Sequence, residues 1–201
     1  MDIDPKDIIE SAKAANEIQA ARKARLNALV AITVAVLATF MGICKVKDDN
    51  IVQGMQQAQA DKIDHWAYYQ ARTIRQDIAE ATAVQLEVAQ PPSTAASGAR
   101  NAAVARYRAI AADQRDKREQ LRAAAEQDQK NYDALNYRDD QFDLSDALLA
   151  IAIAMLAVTA LTGLWPLYWA ALVPTAFGVL MGVAGLAGLP IHPDALVKLL
   201  S

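Results

Sequence analysis

The apolar and charged positions divide this chain into two uncharged stretches and a densely charged middle. The longer stretch, Ala147–Pro193, has 47 residues without Asp, Glu, Lys or Arg, and Leu26–Cys44 has another 19. A helix needs about 20 apolar residues to cross a bilayer, so the longer stretch has room for two. Trp165 and Pro166 lie near its middle, where an interfacial turn is expected. The pattern predicts three transmembrane helices, over residues 26–44, 147–164 and 167–189.

The segments that flank these spans also have helical features. Residues 1–25 predict an N-terminal helix that continues into the first span, since Pro5 suits a first helical position and Asp7 suits a first turn. Residues 190–201 predict a short amphipathic tail at the membrane interface. The second span is preceded by carboxylates that the positive end of a helix would favour, namely Asp140, Asp143 and Asp146.

The charged middle, residues 45–143, predicts a long antiparallel helical hairpin. It holds 14 Lys or Arg and 16 Asp or Glu, and both of its halves are rich in good helix formers. The strongest helix breaker is Pro91–Gly98, which contains two prolines and a glycine and therefore predicts the tip. The arms on either side, Lys45–Gln90 and Ala99–Asp143, are almost equal in length. The expected fold is therefore all-α, with this hairpin between the first and second spans.

Apolar residues at helical spacing on each arm predict the seam between the arms. The first arm offers Ile51, Met55, Ile63, Trp66, Ile74, Ile78 and Val88. The second arm offers Tyr107, Ala111, Leu121, Ala125, Tyr132, Leu135 and Phe142. Charged residues dilute the second seam, so further helices are expected to steady the pair, either in an oligomeric bundle or with fraying near the tip.

A motif follows the first span, with the pattern D-x-W-A-Y-Y-Q-A-[KR] at Asp64–Arg72. Together with the three spans, this motif resembles a family of uncharacterised bacterial membrane proteins that carry a domain of unknown function. The resemblance implies a bacterial inner-membrane protein, and it supplies no catalytic residues. The side chains of the motif suit packing and cross-helix hydrogen bonds, with a recognition patch for a partner as the alternative. The motif residues are Trp66, Tyr68, Tyr69, Gln70 and Arg72.

Catalytic chemistry has few candidates in this sequence. The chain has two histidines, one cysteine, no Gly-rich phosphate loop and no metalloprotease motif. Asp61 and Asp64 with His65 could hold a metal weakly, and Asp61 and His65 share a helix face, but a solvated charged face explains these residues better. We expect no enzymatic activity, no cofactor and no metal site. The net charge of −3 argues against nucleic acid as a partner.

The third span carries small residues that let helices approach closely in lipid, at Gly178, Gly182 and Gly185. Since three spans alone bury little surface, these glycines predict that a second copy of the chain covers them. The expected function is that of a homo-oligomeric structural or scaffolding membrane protein with a protruding helical stalk. The alternatives are a passive pore or transport component, and an accessory subunit of a larger membrane complex. The uncharged spans argue against ion-coupled transport.

Basic residues predict the orientation in the membrane. Arg22, Lys23 and Arg25 precede the first span, whereas the lysines after it lie beside Asp48 and Asp49. Because positive residues stay on the cytoplasmic side, the N-terminus is expected there, and residues 45–143 and the C-terminus in the periplasm. The expected partners are the lipid bilayer, a second copy of the chain and an unidentified membrane protein.

Overall fold

The computed structural model describes residues 5–91 and 93–191, which form three α-helices and no strand. Helix α1 spans Pro5–Val88, α2 spans Thr94–Thr162 and α3 spans Trp165–Ala187. Each contains a segment that is long and apolar enough to cross a membrane. The predicted all-helical class is confirmed. Residues 1–4, and residues 192–201 of the predicted tail, lie outside the described residues.

The connection between α1 and α2 is shorter than the predicted tip at residues 91–98. Helix α1 ends at Val88 and α2 begins at Thr94. Ser93 caps α2, because its Oγ accepts a hydrogen bond from the Ala96 backbone N–H at 3.3 Å and its carbonyl accepts one from the Ser97 N–H at 3.0 Å. With this cap in place, the helix includes the residues up to Gly98 that the sequence assigned to the tip.

The turn between α2 and α3 lies at Gly163 and Leu164, just before the aromatic segment in which it was predicted. Gly163 has a φ of 71°, which glycine adopts without strain, and Pro166 lies in the first turn of α3. The aliphatic chain of Lys23 passes 3.6 Å from the point where a Cβ of residue 163 would lie. Glycine therefore permits both the turn and the contact with α1.

The chain divides into two compact units, Met1–Ile51 with Tyr137–Ser201, and Val52–Asn136. We call the first the three-helix unit, because it contains α3 and parts of α1 and α2, and the second the two-helix unit. All three helices contribute to the buried core of the three-helix unit, which consists of Leu26, Val30, Leu37, Leu149, Ala152, Leu156, Tyr168 and Ala171.

The glycines of α3 face the other two helices of the three-helix unit. Gly178, Gly182 and Gly185 are buried, and their neighbours are side chains of the same chain. The side chains closest to these three positions are those of Leu149, Phe40 and Phe142, respectively. The inference that a second copy must cover these glycines is therefore wrong, because α1 and α2 already do so.

Polar side chains of α2 bind the carbonyl groups near the end of α3. Arg138 donates from Nη2 to the Gly185 carbonyl at 2.8 Å. Gln141 donates from Nε2 to the carbonyls of Leu189 at 2.9 Å and Ile191 at 2.6 Å. The last carbonyls of a helix lack partners within the helix, so these bonds fasten the end of α3 to α2.

The carboxylates before the second apolar stretch do not lie at a helix start. Helix α2 begins at Thr94 and is continuous through Asp140, Asp143 and Asp146, with no acidic residue in its first turn. The predicted stabilisation by the helix macrodipole is therefore wrong, because this effect is confined to the first and last turns.

The seam of the two-helix unit is built largely from alanine, which confirms the predicted Ala111 and Ala125 of α2 but not the predicted isoleucines of α1. The buried apolar residues of this unit are Ala58, Ala79, Ala83, Ala111 and Ala125. Ile63, Ile74 and Ile78 are 60%, 59% and 61% exposed. At 100° per residue they lie on the side of α1 opposite these alanines, so their predicted place in the seam is wrong. We call the exposed aliphatic row Ile63, Ile74, Ile78, Val84 and Val88 the outer stripe.

Candidate functional site

Polar side chains join α1 to α2 across the alanine seam. His65 Nδ1 lies 2.6 Å from Asp128 Oδ2, and Arg72 Nη1 donates to Gln114 Oε1 at 3.0 Å. Two further cross-helix pairs are Lys62 with Gln129 and Arg108 with Glu87. Partly buried polar pairs of this kind add less to stability than to alignment, because a shifted partner leaves them unpaired.

The residues of the aromatic motif point to different sides of α1. Tyr69 faces α2, where the guanidinium of Arg118 lies 5.7 Å from its ring centroid, and Arg72 also contacts α2. Trp66 packs edge-on against Tyr69, with 5.2 Å between ring centroids. Tyr68 and Gln70 are exposed. Two of the five motif residues, Tyr69 and Arg72, therefore contribute to the seam. A packing or recognition role of the other three stays a prediction.

Asp61 and His65, the weak metal candidates, have other contacts. Asp61 accepts a hydrogen bond from Gln57 at 2.8 Å, and His65 binds Asp128. Within residues 5–91 and 93–191, no three His, Cys, Asp or Glu side chains are grouped so that they could hold a metal ion.

A pair of carboxyl groups joins α1 and α2 in the three-helix unit. Asp48 is only 3% exposed, and its Oδ2 accepts a hydrogen bond from Lys45 Nζ at 2.8 Å. Its Oδ1 is buried and has no donor among the described residues. Asp139 of α2 lies within hydrogen-bond range of Asp48. Two carboxylates this close in a buried place do not both ionise readily, so a shared proton would supply the missing donor.

The surroundings of this pair favour the protonated form. Burial and the contact with Asp48 raise the pKa of Asp139 to about 7, and the negative charges of Asp143 and Asp140 act in the same direction. Burial also raises the pKa of Asp143 and of Asp146. Lys45 opposes the effect at Asp143 and Asp146, and α3 contributes no Asp, Glu, Lys, Arg or His.

The pairing of Asp48 with Asp139 was not predicted from the sequence, although the sequence contains a signal for it. Asp48 follows the first uncharged stretch, and Asp139 precedes the second. In an antiparallel arrangement of two long helices, these ends lie at the same level. The identity of the paired residues depended on the register of α1 against α2, which could not be defined while the seam face of α1 was misassigned.

Most of this chain matches a model of one protein family. No curated protein and no solved structure matches the chain. One family model does, under the description "Domain of unknown function (DUF4337)", over residues 26–188. The matched region contains the aromatic motif, the carboxyl pair and the glycine face of α3. Because the match covers most of the sequence, the chain belongs to the DUF4337 family.

Proposed function

We propose that this protein is a non-enzymatic, multi-pass protein of the bacterial inner membrane that serves as a self-associating structural or scaffolding component. The single observation that carries the interaction role is the outer stripe, a row of exposed aliphatic side chains on the two-helix unit. Neither a metal nor a cofactor has a part in this role, and nucleic acid is not the expected partner.

The surface of the three-helix unit supports membrane insertion. Its exposed large hydrophobic residues occur on all three helices and include Ile32, Val36, Ile43, Ile151, Val158, Leu161, Val173, Phe177 and Leu180. Soluble monomers rarely expose contiguous apolar patches larger than a few hundred Å². The acyl chains of a bilayer would keep such a surface out of water, and a helix forms the hydrogen bonds of its own backbone groups within lipid.

The outer stripe supports association with a second copy. It lies opposite the alanine seam, whereas the outer side of α2 carries charged residues such as Arg115, Asp116 and Lys117. A second stripe matches the first in chemistry and length, and a symmetric contact uses the same surface on both copies. Confinement to one membrane would raise the effective concentration of the copies. An unidentified membrane protein is the alternative occupant, and the chain would then be an accessory subunit.

Self-association is tested by placing charge on the outer stripe. We expect the wild type to be an oligomer in mild detergent and the double variant Ile74→Glu/Ile78→Glu to be monomeric, because the contact would bury two carboxylates per copy. Mass photometry measures the change. The matched control is Ala112→Glu/Ala123→Glu, which adds the same charge at exposed positions of α2 and should leave the oligomer intact. A monomeric wild type, or an oligomer that survives both stripe substitutions, contradicts the proposal.

The orientation is tested by labelling a cysteine close to the helical connection. Arg22, Lys23 and Arg25 favour a cytoplasmic N-terminus, which puts residues 45–143 in the periplasm. In cells with a permeabilised outer membrane, we expect a membrane-impermeant thiol reagent to label Ala95→Cys, an exposed position. The wild type is the control, since its single cysteine, Cys44, is buried. Labelling that requires lysis of the inner membrane would reverse the assigned orientation.

A further inference from the structure

A cavity of about 580 Å³ lies in the three-helix unit between α1 and the turn that joins α2 to α3. Asn16, Gln19, Arg22 and Lys23 line it from the α1 side, and the segment Thr162–Pro166 lines it from the other. A second cavity of about 560 Å³ shares Arg22 and Trp165 and adds Arg25. Neither cavity is lined by an acidic residue.

The three basic side chains at these cavities lack an anionic partner in the part of the chain that the structure describes. Among the described residues, Arg22, Lys23 and Arg25 form no ion pair and no side-chain hydrogen bond, whereas Lys45, Arg108 and Arg122 are each paired with a carboxylate. Three neighbouring cations without a counter-charge create a positive potential. That potential attracts an anion into the cavities that they line.

The N-terminus of α3 lies at the same place and can serve an anion. Trp165, the first residue of α3, lines both cavities. Helix α3 starts at Trp165 without a side-chain cap on its N-terminus. The positive end of its dipole therefore adds to the charge of the three cations.

We infer that this cavity binds the phosphodiester headgroup of an anionic phospholipid. Arg22 and Lys23 would neutralise the phosphate, and the side-chain amides of Asn16 and Gln19 would donate hydrogen bonds to ester or headgroup oxygens. The inference rests on the proposed membrane location. Basic pockets between membrane helices are typical sites for such headgroups, and tryptophan favours the same depth.

A lipid fits this place better than free phosphate because an apolar surface adjoins the cavity. Leu164, which lines it, is 53% exposed, and Leu161, one turn earlier, is 80% exposed. The acyl chains of a bound lipid would cover these side chains while the phosphate meets the cations. The Lys23 stem already lies against Gly163, so one cation is partly ordered before any ligand arrives.

Native mass spectrometry of the full chain in a neutral detergent tests the inference. The probes are phosphatidylglycerol, phosphatidylcholine and inorganic phosphate. We expect bound phosphatidylglycerol at concentrations where phosphatidylcholine and inorganic phosphate do not bind. Each basic residue at a lipid headgroup contributes about fivefold to the affinity. Arg22→Gln/Lys23→Gln removes two of them and should therefore weaken phosphatidylglycerol binding about 25-fold. Lys13→Gln/Lys47→Gln removes the same charge away from both cavities and should bind like the wild type.

Each alternative outcome has a definite meaning. Equal binding of the two lipids, or equal binding by the two double variants, overturns the inference. Binding of inorganic phosphate that displaces the lipid identifies free phosphate as the ligand and overturns the lipid assignment. If Arg22→Gln/Lys23→Gln does not fold, Arg22→Lys/Lys23→Arg replaces it and should retain binding, since the charge remains. Extraction of the wild type from membranes by alkaline carbonate would instead refute the proposed function itself.

Discussion

Replacing Gly182 by leucine should prevent α3 from packing in the three-helix unit. A Cβ at this position would lie 2.7 Å from the ring atoms Cε1 and Cζ of Phe40 and 2.8 Å from Oγ of Ser145. Because the backbone fixes the position of this Cβ, between side chains of α1 and α2, no leucine rotamer avoids the contact. Overpacking by even a few atoms costs about 1–3 kcal/mol. A whole leucine side chain should exceed this and remove a large part of a total stability of about 5–15 kcal/mol.

Thermal unfolding in detergent, followed by circular dichroism, measures the effect of Gly182→Leu. The matched control is Gly42→Leu in the apolar segment of α1, where nothing lies within 4 Å of the added Cβ. This control should unfold at or above the wild-type temperature, since leucine favours helix over glycine by roughly 0.5–1 kcal/mol. Gly182→Ala should fall between the wild type and Gly182→Leu. If Gly182→Leu unfolded at the wild-type temperature, the packing of α3 described above would be wrong.

The second large effect concerns pH. Burial and Asp48 raise the pKa of Asp139 to about 7, from 3.8 for an ordinary aspartate side chain. Between these two values the unfolded chain has released this proton while the folded chain still holds it, so stability falls as the pH rises. The stabilisation that the protonated Asp139 gives to the folded state is complete below about pH 4 and is lost once the pH passes about 7. Since Asp139 keeps some contact with solvent, screening reduces the expected loss to about 1–2 kcal/mol.

Unfolding temperatures from pH 4 to pH 8 test this expectation. Asp139→Asn keeps a neutral group that can donate to Asp48 at every pH, so its stability should depend less on pH and should exceed that of the wild type at pH 8. Some dependence should remain, because the pKa values of Asp143 and Asp146 are also raised. The control Asp49→Asn changes an exposed carboxylate next to the pair. Parallel pH curves for the wild type and Asp139→Asn would mean that the pair holds no proton.

The helical architecture was predictable because composition and length determine it. Uncharged stretches of 19 and 47 residues leave few alternatives to helices, and the equal arms between them indicate a hairpin. The helix boundaries were harder to predict from the sequence. Ser93 extended α2 through residues that include Gly98, since a local cap outweighed the low helix propensity of one glycine.

The face of α1 that packs against α2 was the part that sequence patterns could not assign. Helix α1 carries aliphatic residues on one side and alanines on the other in the two-helix unit, and periodicity alone does not say which side is buried. Hydrophobicity favours the isoleucines, but the alanines permit a closer approach of α1 and α2 and occupy the seam. The same limit applied to α3, where the glycine spacing predicted a helix contact without revealing whether its partner was in the same chain.

The alanine seam has a consequence for how the two-helix unit responds to force. A methyl group buries little area, so separating the helices sideways would expose little apolar surface. Sliding one helix along the other by a turn, about 5.4 Å, would instead break every cross-helix pair, including those of His65 and Arg72, at once. The unit is therefore stiff against shear and compliant against peeling. A pull along its helices would be transmitted, whereas a pull across them would open the pair.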